Sequence, residues 1–162
     1  MSKKSIALLF FLIAALIIIY VLWPSNESRI KKLFKEGSRA IEKEDPEAVM
    51  SKVSFNYRDE YGMTYLSVKE TMKSIFQRMD NIKIEYEDLK INVRADKTAT
   101  IDMDVRIIAA IGNDTGYILG DLPNPAHLKF TLEKERTKWL VIKTEGLPFF
   151  LLINIILNIT HR

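Results

Sequence analysis

The side chains that could do acid–base chemistry in this sequence fall into two small groups. Tyr57, Asp59 and Tyr61 alternate along one short segment, so on a regular strand they would project from the same side. Asp102 and Asp104 alternate in the same way further along the chain. Because a carboxylate and a phenol can act as a general acid–base pair in a pocket, Asp59, Tyr57 and Tyr61 are the candidate catalytic residues.

The second group has a simpler interpretation. Asp102 and Asp104 alternate with the apolar Ile101 and Met103, a pattern typical of a strand with one solvated face. His127 follows a proline-rich loop, and the sequence places no capable acid beside it. We expect these three polar residues to lie outside any catalytic site, because perturbed pKa values require burial.

Composition excludes several classes of chemistry. The chain has no cysteine and two histidines, which rules out disulfides, thiolate nucleophiles and cysteine-based zinc sites and argues against a histidine-rich metal site. No phosphate-binding glycine loop or nucleophile elbow occurs. We therefore predict no metal and no cofactor. With 48% hydrophobic and 28% charged residues, the chain is neither disordered nor a multi-span membrane protein.

The formal net charge of +3 comes from the ends of the chain. All 21 acidic residues lie between Glu27 and Glu145, and three of the 24 basic residues lie outside that stretch, so the body is formally neutral. We therefore predict no nucleic-acid partner. The densest basic cluster, at residues 29–35, directly follows an apolar segment, where anionic lipid headgroups are its natural partner.

That apolar segment, residues 6–23, has no charge, amide or proline and is long enough for a transmembrane helix. Tyr20 and Trp23 lie at its end, where aromatic rings favour the headgroup level, and Pro24 ends the helix. A cleaved signal peptide is the alternative, but its small-residue cleavage site is missing. We predict an uncleaved signal anchor that binds membrane lipid, preceded by a short basic tail at residues 1–5.

The orientation signals disagree. Lys3 and Lys4 favour a cytoplasmic N-terminus, whereas five basic residues follow the span between Arg29 and Arg39. A short tail before an anchor is typical of a signal anchor that exports the domain downstream of it. We expect a single-pass protein with its C-terminal domain outside the cytoplasm, in the periplasm if the source is bacterial.

Residues 24–147 are predicted to form one domain, in which a helical period gives way to a strand period after Asn81. The predicted helices are residues 27–44, a second one capped by Asp45, and a third that a capping box of Ser67 and Glu70 begins. A short strand is predicted between the last two, at residues 54–61. About four antiparallel strands follow, interrupted by a loop from Gly112 to Pro125. A half-buried sheet with its helices on one face is an α+β roll.

This order of elements resembles the cystatin-like fold of the nuclear-transport-factor-2-like superfamily, which includes SnoaL-like and ketosteroid-isomerase-like proteins. The resemblance rests on the end of the first helix, residues 40–49, the segment Phe55–Tyr61 and the closing strand, residues 138–142. It implies three helices packed on a curved antiparallel sheet, a conical pocket between them, and homodimers formed through the sheet in many members.

In that pocket the resemblance implies either ligand binding or catalysis. We expect a non-enzymatic domain at the cell envelope that binds a small apolar ligand or a protein partner. One alternative is a lyase or isomerase that uses a pocket carboxylate and tyrosine, and another is a purely structural module that dimerises. The side chains expected to line the pocket are Met72, Phe76, Met103 and Phe130.

The C-terminal tail, residues 148–162, is apolar but too short and too interrupted by Asn154 and Asn158 to span a bilayer. Its apolar residues nearly encircle a helix, which leaves three environments open: its own domain, lipid, or a partner. The sequence leaves open the ligand, the oligomeric state and whether the pocket is open.

Overall fold

A computed structural model describes residues 10–15 and 24–148 of the chain. Within residues 24–148, three helices precede a five-stranded antiparallel sheet, which confirms the α+β class. The helices are α1 (Asn26–Glu42), α2 (Pro46–Met50) and α3 (Tyr65–Phe76). The strands are β1 (Asp80–Val93), β2 (Thr98–Ile111), β3 (Asp114–Leu119), β4 (Ala126–Glu135) and β5 (Lys138–Glu145).

Side-chain caps begin the first two helices, and the sequence predicts the cap of the second one. The Ser25 side chain accepts a hydrogen bond of 3.1 Å from the backbone N–H of Ser28 at the start of α1. Asp45 caps α2 by accepting one of 2.9 Å from Ala48, and Pro46 occupies the first turn, where its missing N–H costs nothing.

The segment between α2 and α3 is not a strand, and the prediction of one at residues 54–61 is wrong. Its backbone is satisfied by turns instead: the N–H of Tyr57 donates to the carbonyl of Ser54, and that of Gly62 donates to the carbonyl of Asp59. The side chains therefore do not share one face. Phe55 is 81% exposed and Tyr61 41% exposed, whereas Tyr57 and Asp59 are buried.

The predicted capping box of α3 is also wrong. The helix starts at Tyr65 after Thr64, so Ser67 lies within its first turn. The hydroxyls of Thr64 and Ser67 are 3.2 Å apart, and the Thr64 side chain makes no capping hydrogen bond to the backbone.

In the sheet, β2 is the central long strand. β1 pairs with its whole length on one side, whereas β4 pairs with Thr98–Val105 and β3 with Ile107–Ile111 on the other. β5 extends the sheet beyond β4. The predicted loop from Gly112 to Pro125 thus contains a strand, β3. The glycines of this segment favoured the prediction of a loop.

Gly120 ends β3 where the chain passes closest to its neighbours. Its φ is +63°, and a Cβ there would lie 2.7 Å from the carbonyl oxygen of Val105 and 2.8 Å from the amide nitrogen of Ala126. Only glycine combines this backbone conformation with so close an approach.

The core lies between α1 and the inner face of the sheet. Ile30 of α1, Ile101 of β2 and Leu132 of β4 are completely buried there. Phe34 of α1 packs edge-on against Phe130 of β4, with ring centroids 5.1 Å apart. The contact between α1 and the sheet is therefore the close-packed part of the interior.

Among residues 10–15 and 24–148, no helix is both long enough and apolar enough to cross a bilayer. The anchor predicted at residues 6–23 lies outside the described residues except for 10–15, which are helical. The predicted tail lies outside them as well from residue 149 onwards.

Candidate functional site

A cavity of about 290 Å³ lies between α1, α3 and the inner face of the sheet and is partly open to solvent. Its walls are almost entirely apolar. The four side chains expected to line a pocket, Met72, Phe76, Met103 and Phe130, all line it. Helical spacing on α3 and strand alternation on β2 and β4 therefore locate the cavity from sequence.

The α3 wall differs from a packed helix. Its apolar stripe of Val68, Met72, Ile75 and Phe76 faces the cavity, and all four side chains are only partly buried. Thr71 is the one buried residue of this helix. A stripe of this kind normally packs into a core, so α3 stands off the sheet over a space that it does not fill.

The α1 wall contains a gap at Gly37. The inner stripe of this helix runs through Leu33, Phe34 and Ile41, and Gly37 occupies the position between them where an apolar side chain is expected. A Cβ built on Gly37 would meet no atom within 4 Å. The missing side chain contributes to the volume of the cavity, and a glycine within an apolar helical stripe is the sequence signal that indicates it.

Polar groups are few on the cavity wall, and two of the three catalytic candidates are among them. Tyr57 is 6% exposed and Asp59 is 7% exposed, and both line the cavity. Tyr61 is not among the lining residues, and its hydroxyl donates a hydrogen bond of 2.9 Å to the carbonyl of Leu147. The structure thus places Tyr57 and Asp59 on one cavity wall, whereas the side chain of Tyr61 is not part of it.

Asp59 has a structural role in its turn. Its Oδ1 accepts hydrogen bonds from the backbone N–H groups of Tyr61, at 2.9 Å, and Met63, at 2.8 Å. These bonds hold the turn that leads into α3, as Asp side chains commonly do. The carboxylate is therefore fixed in orientation at the edge of the cavity.

Burial dominates the electrostatics of Tyr57. Desolvation raises the pKa of its hydroxyl to about 12, against the smaller opposing effect of a hydrogen bond with Thr144. The phenol is accordingly neutral at physiological pH and can donate a hydrogen bond.

Thr144 is a cavity residue that sequence reasoning missed. Trp139 and Val141 alternate as buried residues of β5, so a strict two-residue period would turn Thr144 to the outer face. A register shift between β4 and β5 at Thr131/Leu132 accompanies the change of phase, and Thr144 is buried and lines the cavity. Single-sequence alternation does not reveal such a shift.

Asp102 and Asp104 lie on the other side of the sheet, as their alternation predicts. His127 lies beside them in β4 rather than in the loop that precedes it. Strand pairing, which the sequence does not show, places Asp104 opposite His127, with Nδ1 and Oδ1 2.9 Å apart. This hydrogen bond raises the pKa of His127. The histidine is 63% exposed and does not line the cavity.

Within the described part of the chain, no group of three or more His, Asp or Glu side chains is arranged to hold a metal ion.

The sequence matches no family model and none of the curated proteins. Solved structures do match. A proposed scytalone dehydratase from Novosphingobium aromaticivorans is similar with a TM-score of 0.63 and 14% identity, over 72% of this chain and 78% of that one. A protein with a cystatin-like fold from Nostoc punctiforme is similar with a TM-score of 0.55 and 16% identity, over 76% and 95% of the two chains.

A third similar structure is Aln2 from a Streptomyces species, with a TM-score of 0.63 and 8% identity, covering 81% of this chain and 97% of that one. At such identities the likeness establishes the fold alone. The fold is thus the cystatin-like, nuclear-transport-factor-2-like one that the sequence resembles.

Proposed function

We propose that this protein is a membrane-tethered, non-enzymatic domain whose cavity binds a small apolar ligand. One observation carries the proposal: the apolar stripe of α3 faces the cavity and is only partly buried by the protein itself. Complete burial of one such side chain contributes about 1.5–3 kcal/mol. A ligand that fills the cavity would recover part of the burial that the empty fold forgoes.

The size and lining of the cavity suit this function. Ligand pockets commonly begin at about 300 Å³ and are mostly apolar, with a few polar groups that fix orientation. The present cavity has about 290 Å³ and only a few polar lining residues, among them Tyr57, Asp59 and Thr71. A small ligand with a large apolar part fits this description.

The membrane tether belongs to the proposal because of residues 6–23, whose composition is that of a span. We place the N-terminus in the cytoplasm and the domain outside it. A C-terminal reporter that is active only in the cytoplasm should be inactive when fused to the full chain. Activity of that reporter would overturn the orientation.

The ligand proposal is tested by native mass spectrometry of the full chain released from detergent. We expect the wild type to carry an apolar adduct from the cells that produced it. Gly37→Leu, which places a side chain in the cavity, should lose the adduct, whereas the matched control Gly37→Ala should largely keep it. Equal adducts in both variants, or none in the wild type, would contradict the proposal.

A second candidate function is a lyase or isomerase, favoured by the burial of Tyr57 and Asp59 on the wall of the same cavity. The proposed scytalone dehydratase with this fold names one such reaction. The two functions differ in what happens to the ligand. A binding domain returns the extracted ligand unchanged after incubation with fresh protein, whereas an enzyme converts it and loses that conversion in Asp59→Asn.

A further inference from the structure

A shallow groove runs beside the start of α1. Leu33 lies between this groove and the apolar cavity. Four cations line it: Arg29, Lys32, Lys52 and Lys138. Among the described lining residues the single carboxylate is Glu36. The groove is therefore a site of net positive charge, and such a site attracts anionic groups.

The fold assembles this groove from distant parts of the sequence. The turn between β4 and β5 lies against the first turn of α1, where Arg29 donates to the carbonyl of Thr137 at 3.4 Å. Lys134 Nζ donates to the side-chain oxygen of Asn26 at 2.9 Å. Lys138 thereby joins the basic cluster that the sequence places after the proposed anchor.

The groove also adjoins the apolar cavity. Leu33 and Lys52 line both of them. Lys52 is held at this junction by Glu36, with Nζ 2.6 Å from Oε2. Leu33 and the Lys52–Glu36 pair therefore lie between the two spaces, and a ligand with one end in each must pass these side chains.

The charged residues that line the two sites indicate which end of the ligand each site would hold. Lys52 is the single basic residue among the described residues that line the cavity, and Glu36 already pairs with it, whereas Asp59 adds a carboxylate to the cavity wall. An anionic headgroup would therefore be disfavoured inside the cavity and favoured in the groove.

We infer that groove and cavity together hold one anionic phospholipid, with its phosphate headgroup in the groove and an acyl chain in the cavity. The source is the bilayer itself, because Pro24, the residue directly after the proposed anchor, lines the groove. This inference rests on the proposed function and specifies its ligand class.

The test uses the full chain in detergent and two lysophospholipids with the same acyl chain, one with an anionic phosphatidylglycerol headgroup and one with zwitterionic phosphatidylcholine. Native mass spectrometry should show preferential binding of the anionic lipid. Lys32→Gln with Lys138→Gln should weaken its binding more than about tenfold, since each cation near an anionic headgroup contributes a factor of about five.

The matched control carries the same charge change elsewhere. Lys83→Gln with Lys90→Gln alters two exposed cations of β1 that do not line the groove, and should leave the preference intact. Thermal unfolding of both double variants checks that the fold is retained. Inorganic phosphate should compete poorly, because it lacks the chain that occupies the cavity.

The headgroup proposal is overturned if the wild type binds the two lipids equally, if the groove variant keeps its preference, or if phosphate displaces the lipid at matched concentration. Gly37→Leu separates this failure from that of the proposed function. Equal binding of both lipids that Gly37→Leu abolishes would leave the apolar cavity as the site. Binding that Gly37→Leu leaves unchanged would contradict the cavity itself.

Discussion

The two longer helices, α1 and α3, are both amphipathic and both lie on the inner side of the sheet, yet they use their apolar faces differently. α1 buries Ile30 completely and Leu33 and Ala40 almost completely. On α3 the single buried residue is Thr71, and the apolar stripe is left facing the cavity.

On the proposed function, this difference distinguishes a helix that stabilises the fold from one that binds the ligand. α1 contributes its stripe to the core, where close packing stabilises the domain. α3 keeps its stripe available, which costs stability in the empty fold and creates a site that an apolar ligand can fill. Stability and binding should therefore respond to different residues, and substitutions can test whether they do.

The largest expected effect is on the free energy of unfolding, from a substitution on the buried face of α1. Ile30→Ala removes a completely buried side chain and should lower the free energy of unfolding by about 2–5 kcal/mol. Met72→Ala should cost less than Ile30→Ala, because the Met72 side chain is partly buried and faces the cavity, so its removal breaks fewer packing contacts. Denaturant unfolding of the full chain in detergent measures both. Equal losses would mean that α3 is packed as tightly as α1.

A smaller effect on stability is expected at Gly37. Enlarging a side chain in a filled core normally destabilises a protein, but here we expect stabilisation. Replacing a helix-interior glycine by leucine stabilises a helix by about 0.8–1 kcal/mol, whereas a new side chain in a filled core costs about 1–3 kcal/mol. Because the Cβ position is clear to 4 Å, Gly37→Leu should raise the melting temperature. A lower melting temperature would show that the cavity is not empty.

The burial of Tyr57 predicts a pH dependence at the cavity. Its pKa of about 12 in the folded protein exceeds the ordinary value near 10, so its stabilising contribution is complete below about pH 10 and is lost as the pH rises through 12. Tyr57→Phe should flatten the decline in unfolding free energy over that range. Tyr117→Phe, at an exposed position of β3, is the control and should not.

The smallest effect is expected at His127, on the opposite side of the sheet. Asp104 raises the pKa of His127 in the folded protein, so the contribution to stability is complete below about pH 6.5 and is lost as the pH rises through the raised value. NMR titration of the imidazole in the wild type and in Asp104→Asn measures the shift. Ligand binding in the cavity should not change in His127→Gln, and a change would place this pair in the site.

The parts of the site that follow a regular period were predictable from sequence. Helical spacing on α3 and alternation on β2 and β4 identified Met72, Phe76, Met103 and Phe130 as neighbours of one space. Along β1, the alternation of apolar residues shifts by one residue between Tyr86 and Leu89. A register shift against β2 accommodates this change, so the apolar residues on both sides of it pack on the core.

Features set by local turns and by strand register were not predictable. Alternating residue types suggested a strand around Asp59, but its side chain stabilises a turn through two backbone hydrogen bonds. The glycines around β3 suggested a loop, and the pairing with β2 that makes this segment a strand is not visible in the local sequence. The neighbour of His127 likewise depends on which strand pairs with which, and the sequence alone does not determine this.

The central claim is that the space under α3 binds an apolar ligand, and photo-crosslinking tests it most directly. The full chain in its membrane is exposed to a diazirine-bearing fatty alcohol, irradiated and mapped by peptide mass spectrometry. We expect labelling of α3 around Met72 and Phe76, and we expect Gly37→Leu to suppress it. Labelling confined to residues 6–23 and 149–162, with none in α3, would contradict the central claim.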